Sequence, residues 1–113
     1  MLPLKNRLPL KTELSDLKKN GHKFSGQLIT LVIKKRPYSP HSRFATIVSK
    51  KISSKAVDRN LLRRRLKAIH RPFILKTNSL DILALPKKAA STATFDQLQQ
   101  DLSLLFKKLS SLK

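Results

Sequence analysis

Between Thr12 and Asn20 the chain places its acids first (Glu13, Asp16), sets Leu14 and Leu17 three apart, and ends in Lys18 and Lys19 with Gly21 just beyond. Acids near a helix start, cations near its end and a glycine past it predict a short helix. Phe24 to Ile33 is apolar and β-branched and predicts a strand, followed by a basic, proline-containing loop from Lys34 to Pro40. Arg43 to Ser49 predicts a second strand. From Ser54 to Phe73 the period becomes helical. At 100° per residue from Val57, Arg59, Asn60, Arg63, Arg64, Lys67 and Arg71 fall between about 200° and about 340°, and Leu61, Leu62, Leu66, Ala68 and Ile69 between about 20° and about 180°. Arg65 falls inside the apolar half, where its head must snorkel, and Pro72 is expected to end or kink the helix. Asp81 to Leu85, closed by Pro86, predicts a buried strand. Thr94-Phe95-Asp96-Gln97 is a capping box. Leu98, Leu102, Leu105, Leu109 and Leu112 then recur at steps of four and three as one face of a final helix. The order α-β-β-α-β-α predicts an α+β fold, a two-layer sandwich in a single domain over residues 1–113.

Charge changes the picture more than composition does. The 113 residues are 40% hydrophobic, enough for a core, yet carry 25 Lys+Arg against 6 Asp+Glu, a formal net charge of +19. Solubility asks only for a magnitude of about 2 to 8. Residues 1–76 hold 20 of the cations and 3 acids, and Lys50 to Arg71 holds nine cations against Asp58 alone. Such an excess calls for a polyanionic partner. The longest apolar run, Leu28 to Ile33, is far short of the ~20 residues of a membrane span. Lys5, Arg7 and Lys11 interrupt the leucines that a secretory signal would need unbroken. The expectation is a soluble, cytoplasmic protein with no membrane association. The absence of cysteine removes thiolate catalysis and cysteine-based metal sites, and fits a reducing compartment.

Catalytic side chains are scarce. Gly21 and Gly26 are the only glycines, so there is no phosphate-cradling loop. Asp96 and Asp101 would stand about 140° apart on a helix and could not share a metal. Glu13 and Asp16 suit a helix first turn, and His22, His41 and His70 stand alone, in surface or structural roles. No metal site on the protein is expected. Arg59, Arg63 and Lys67, spaced i, i+4, repel one another unless phosphates intervene, and arginine offers those phosphates a forked donor. Phe24, Phe44 and Tyr38 are candidates for base stacking, with a core role equally open for Phe44. These residues describe a nucleic-acid-binding protein. They leave open a ribonucleoprotein subunit, a ribosomal or other RNA scaffold, and a basic DNA-binding protein.

The run from Val48-Ser49-Lys50-Lys51 through Lys55-Ala56-Val57-Asp58-Arg59-Asn60 to Arg63-Arg64-Arg65 resembles the signature of the bacterial ribonuclease P protein subunit. Asn6-Arg7-Leu8, Phe24-Ser25-Gly26, Asp81 to Leu85 before Pro86, and Thr94-Phe95 extend the resemblance over nearly the whole chain. The resemblance implies a left-handed crossover around the basic helix. It also implies partnership with a catalytic RNA that uses Mg²⁺ to remove the 5′ leader of precursor tRNA, with no obligate protein partner. The RNA, not the protein, would be the endoribonuclease. By this resemblance Lys55, Arg59, Asn60, Arg63, Arg64 and Lys67 face the catalytic RNA, joined by Arg65 and Arg71. Phe24, Lys50, Lys51, Phe44 and Leu14 would bind the leader in a cleft between the first helix and the sheet. Leu61 stands where the family usually has arginine, and Leu14 and Lys18 where it often has phenylalanine.

Overall fold

A computed structural model describes residues 3–36, 40–77 and 79–111; Tyr38 and Leu112 lie outside them, as does the side chain of Leu109. The elements are α1 (Leu10–Asn20), β1 (His22–Ser25), β2 (Ile29–Lys35), β3 (Arg43–Thr46), α2 (Ala56–Lys76), β4 (Leu80–Pro86) and α3 (Phe95–Ser111), with short 3₁₀ turns at Leu4–Asn6 and Lys88–Thr92. The fold is α+β, as the periodicities require, in the order α-β-β-β-α-β-α.

The additional strand corrects the single strand expected from Phe24 to Ile33. The chain turns at Gly26-Gln27-Leu28, and β1 pairs antiparallel with β2. The cause lies far along the sequence. Asp101 of α3 accepts hydrogen bonds from the backbone N–H groups of Gln27 (2.9 Å), Leu28 (3.1 Å) and Ile29 (3.0 Å). A Cβ at Gly26 would lie 2.6 Å from the same carboxylate, so only glycine fits there.

The sheet order is β1-β2-β4-β3. β2 and β4 are antiparallel, whereas β3 and β4 are parallel and joined by the crossover through α2. The N-terminal segment covers the free edge of β3: Leu8 N–H donates to Phe44 O (3.0 Å) and Asn6 Nδ2 to Ser42 O (2.8 Å). One sheet face carries Ile29, Leu31, Ile33, Phe44, Ile82 and Ala84, which pack with Leu62, Leu66, Ile69 and Ile74 of α2 and Leu98, Leu102 and Leu105 of α3. The other face is smaller: Val32 and Leu83 take Leu17 of α1 and Leu8, with Leu10, Leu14, Ala45, Ile47 and Leu85 half-buried around them.

Pro72 neither ends nor breaks α2, which continues to Lys76. The hydrogen bond it forfeits would have been to Ala68, and both residues are exposed, so the carbonyl is open to solvent. Fully buried Ile74 and the stack of Phe73 on Phe106 (centroids 4.0 Å apart) hold the last turn in place. The capping box at the start of α3 forms reciprocally, Gln97 N–H to Thr94 Oγ1 (3.1 Å) and Thr94 N–H to Gln97 Oε1 (2.9 Å).

Candidate nucleic-acid interface

α2 supplies most of the candidate cations, and its contacts sort them. The buried row is Leu62, Leu66, Ile69, His70 and Ile74. Its centre lies near 180° from Val57, roughly a quarter-turn or less from the middle of the apolar arc drawn from sequence. Leu61 and Ala68 therefore face outward, while Arg59 and Arg63 fall on the inward side of the first turns and sit half-buried there. The rotation has a cause: His70 belongs to the core and the arginine stems tolerate partial burial because their heads find backbone carbonyls.

Arg59 Nη1 donates to Ser53 O (3.0 Å) and Ser54 O (2.9 Å), fastening the loop that enters the helix. Arg63 donates to Asn60 Oδ1 and, at 3.4 Å, to Val48 O. Arg65, placed with the RNA-facing set by sequence, instead reaches Ala93 O (3.4 Å) across the helix and ties α2 to the segment before α3. Lys55, Asn60, Arg64, Lys67 and Arg71 are exposed, as are Lys50 and Lys51 in the connection from β3. These seven form the outward polar and cationic surface of this part of the molecule.

Five of the six acids, all but the exposed Asp96, make contacts within the fold. Asp81, fully buried, receives Arg43 through Nε (2.9 Å) and Nη2 (2.8 Å), and Arg36 Nε lies 2.8 Å away. This pairing holds the Arg43 guanidinium above its ordinary pKa. Glu13 also approaches Arg43 (3.5 Å). Asp16 pairs with Lys34 and accepts from Asn20 Nδ2 (2.5 Å); Lys34 foremost, and then Asn20, keep its carboxyl below the usual range. Asp101 is spent on the hairpin amides and Asp58 accepts from Ser53 Oγ (3.4 Å). Thus α1 acids read as helix-dipole partners also clamp α1 to sheet cations. Among the described residues no three His, Asp or Glu side chains converge on a point that could hold a metal.

The leader candidates do not form one surface. Phe44 is buried at 3% exposure with its ring stacked on His70 (centroids 4.3 Å apart), so it is a core residue and not a base-stacking one. Phe24 packs with the α2/α3 face of the sheet, whereas Leu14 lies on the opposite face with α1. Strand alternation separates them: Phe24 is paired with Leu31, which is core on the first face. The half-open apolar surface beside α1 is instead Leu10, Leu14, Ala45, Ile47 and Leu85. Sequence reading passed over Ala45, Ile47 and Leu85 because an apolar strand residue gives no sign of which face is left uncovered.

A cationic helix seated on an α+β sandwich, with Asp16, Asp81 and Asp101 engaged in internal ion pairs and hydrogen bonds, defines the class of small basic RNA-binding proteins. The family model named Ribonuclease P matches residues 2–110, and the chain belongs to the ribonuclease P protein family, subunits of a tRNA-processing ribonucleoprotein. It is 30% identical over 109 residues to the ribonuclease P protein component of Pseudanabaena sp., covering 96% of this chain and 94% of that one. Against that of Rickettsia bellii it is 35% identical over 99 residues, covering 80% and 82%. Among solved structures, the ribonuclease P protein of Staphylococcus aureus superposes with a TM-score of 0.83 at 22% identity, covering 92% of this chain and 94% of that one. That of Thermotoga maritima gives 0.76 at 26% identity, covering 88% and 94%. Among the described residues no helix is long and apolar enough to cross a membrane.

Proposed function

We propose that this chain acts in the cytoplasm as the protein partner of a catalytic RNA, and that the RNA hydrolyses precursor tRNA while the protein binds both the RNA and the 5′ leader. The observation that carries this reading is the division of charge: exposed cations on and before α2, and Asp16, Asp81 and Asp101 held in ion pairs and backbone hydrogen bonds. A protein so built supplies phosphate neutralisation and supplies no general base. Among the described residues no cluster of His, Asp or Glu could hold a metal, and in this reading Mg²⁺ is bound by the RNA and substrate. Lys55, Asn60, Arg64, Lys67 and Arg71 meet the RNA subunit, with Arg59 and Arg63 shaping the loop and helix start beneath them. The leader lies over Leu10, Leu14, Ala45, Ile47 and Leu85, where a flat apolar surface accepts unpaired bases.

Cleavage of precursor tRNA by protein alone, RNA alone and the two combined tests the proposal. The protein alone should cleave nothing, and its addition should lower the Mg²⁺ concentration at which the RNA reaches half-maximal rate. An unchanged Mg²⁺ dependence would overturn it.

A further inference from the structure

The most outward line of α2 is not its cationic flank. At about 100° per residue, Val57, Leu61, Ala68 and Leu75 all fall within about 40° of one line, opposite the buried row. Val57 is 77% exposed, Leu75 48% and Leu61 37%, and Ala68 is also exposed. Arg64 and Arg71 fall on the same line, with Asn60 and Lys67 beside them. Apolar side chains that neither reach the core nor aid solubility, arranged along one line of a helix, are the mark of a contact surface.

We infer that this line is a ridge that seats in the shallow minor groove of a double-helical segment of the RNA subunit. Val57, Leu61, Ala68 and Leu75 would lie against ribose and base edges while Arg64 and Arg71 reach the bordering phosphates. The inference rests on the RNA-binding reading above and gives it a place on the RNA. Charge selects the class of partner: arginines interleaved with the apolar residues suit a polyanion and oppose a second copy of a +19 chain. Shape selects the groove. The major groove of A-form RNA is deep and too narrow for side chains to read, whereas the minor groove is wide, shallow and displays ribose and base edges. A ridge with alanine at Ala68 lets the helix approach such a surface closely, and from Val57 to Leu75 it runs about 27 Å.

The test uses the full-length protein and a transcript of its RNA subunit, with Kd measured across a range of KCl concentrations. The double variant Val57→Gln/Leu61→Gln should bind roughly tenfold more weakly with an unchanged salt slope, since it loses apolar burial and no phosphate contact. Arg64→Ala should reduce the slope by about 1. Thermal melts of the free variants should match wild type, because all three side chains are exposed. Hydroxyl-radical footprinting should show ribose protection on both strands of a paired segment, weakened in the double variant. Unchanged affinity of the double variant, with the Arg64 effect intact, overturns the ridge and leaves the RNA-binding reading standing. If Arg64→Ala and Lys67→Ala also change neither Kd nor slope, the reading beneath it fails as well. Protection confined to unpaired nucleotides overturns the groove, and self-association abolished by the double variant assigns the ridge to a second copy.

Discussion

His70 lies wholly inside the protein, its ring stacked on Phe44 and edge-on to Phe106 (5.8 Å), with Nδ1 2.7 Å from the Leu66 carbonyl. The carbonyl can only accept, so Nδ1 carries the proton and Nε2, buried with no hydrogen-bond partner, holds a lone pair. Burial pushes the pKa down to about 4 from 6.5. The unfolded chain therefore takes up a proton near pH 6.5 that the folded chain refuses until about pH 4, so stability is full above this window and falls as pH drops through it. The loss should approach about 3 kcal/mol. Urea unfolding at pH 7 and pH 4.5 checks it: His70→Phe should show a smaller difference between the two than wild type. The Arg59 guanidinium closes the loop at Ser53 and Ser54 beneath the proposed RNA-facing residues. Arg59→Ala should weaken RNA binding and lower the melting temperature together, whereas Lys67→Ala, on an exposed residue, should affect binding alone. Equal melting temperatures for the two variants would remove the structural role of Arg59.

At the scale of elements, long apolar periodicities were legible and close turns were not. The capping box and leucine steps located α3, and the switch to a helical period located α2, because each depends on neighbours within one or two turns. The β1–β2 turn was invisible, since the residue that enforces it, Asp101, lies 72 to 74 positions away and on another element. Asp101→Asn exchanges a charged acceptor of three amides for a neutral one. It should cost about 2 kcal/mol and speed hydrogen exchange at Gln27, Leu28 and Ile29 above that in β4. Uniform exchange across both would show that the hairpin opens only with the whole domain. Within α2, Leu66 is fully buried, and Leu66→Ala should cost roughly 2 to 5 kcal/mol with little change in the salt slope of RNA binding. The continuation of α2 through Pro72 likewise follows from packing of Ile74 and Phe73 beyond it, which local propensity does not register.

Across the whole molecule, 25 Lys+Arg are compensated only in part by 6 Asp+Glu, several of them placed where they dock α1 and fill the buried end of the sheet, which leaves a net charge of +19. The remaining repulsion should leave the free protein responsive to polyvalent anions. Sulfate should raise its melting temperature more than chloride at equal ionic strength, by binding the folded state. Equal effects of the two salts would mean that the cations are too dispersed to share an anion. Fold class, the basic helix and the family were determined by sequence itself, because hydrophobic period, charge count and signature residues are local properties of the chain. The tertiary structure alone decided which candidates are available to a ligand. It took Phe44 into the core, turned Arg65 toward Ala93, placed Phe24 and Leu14 on opposite sheet faces, and set Leu61 and Ala68 outermost on α2. A side chain's role depends on which side of its element meets the rest of the protein. That is settled by strand pairing and packing between distant segments, which no local pattern encodes.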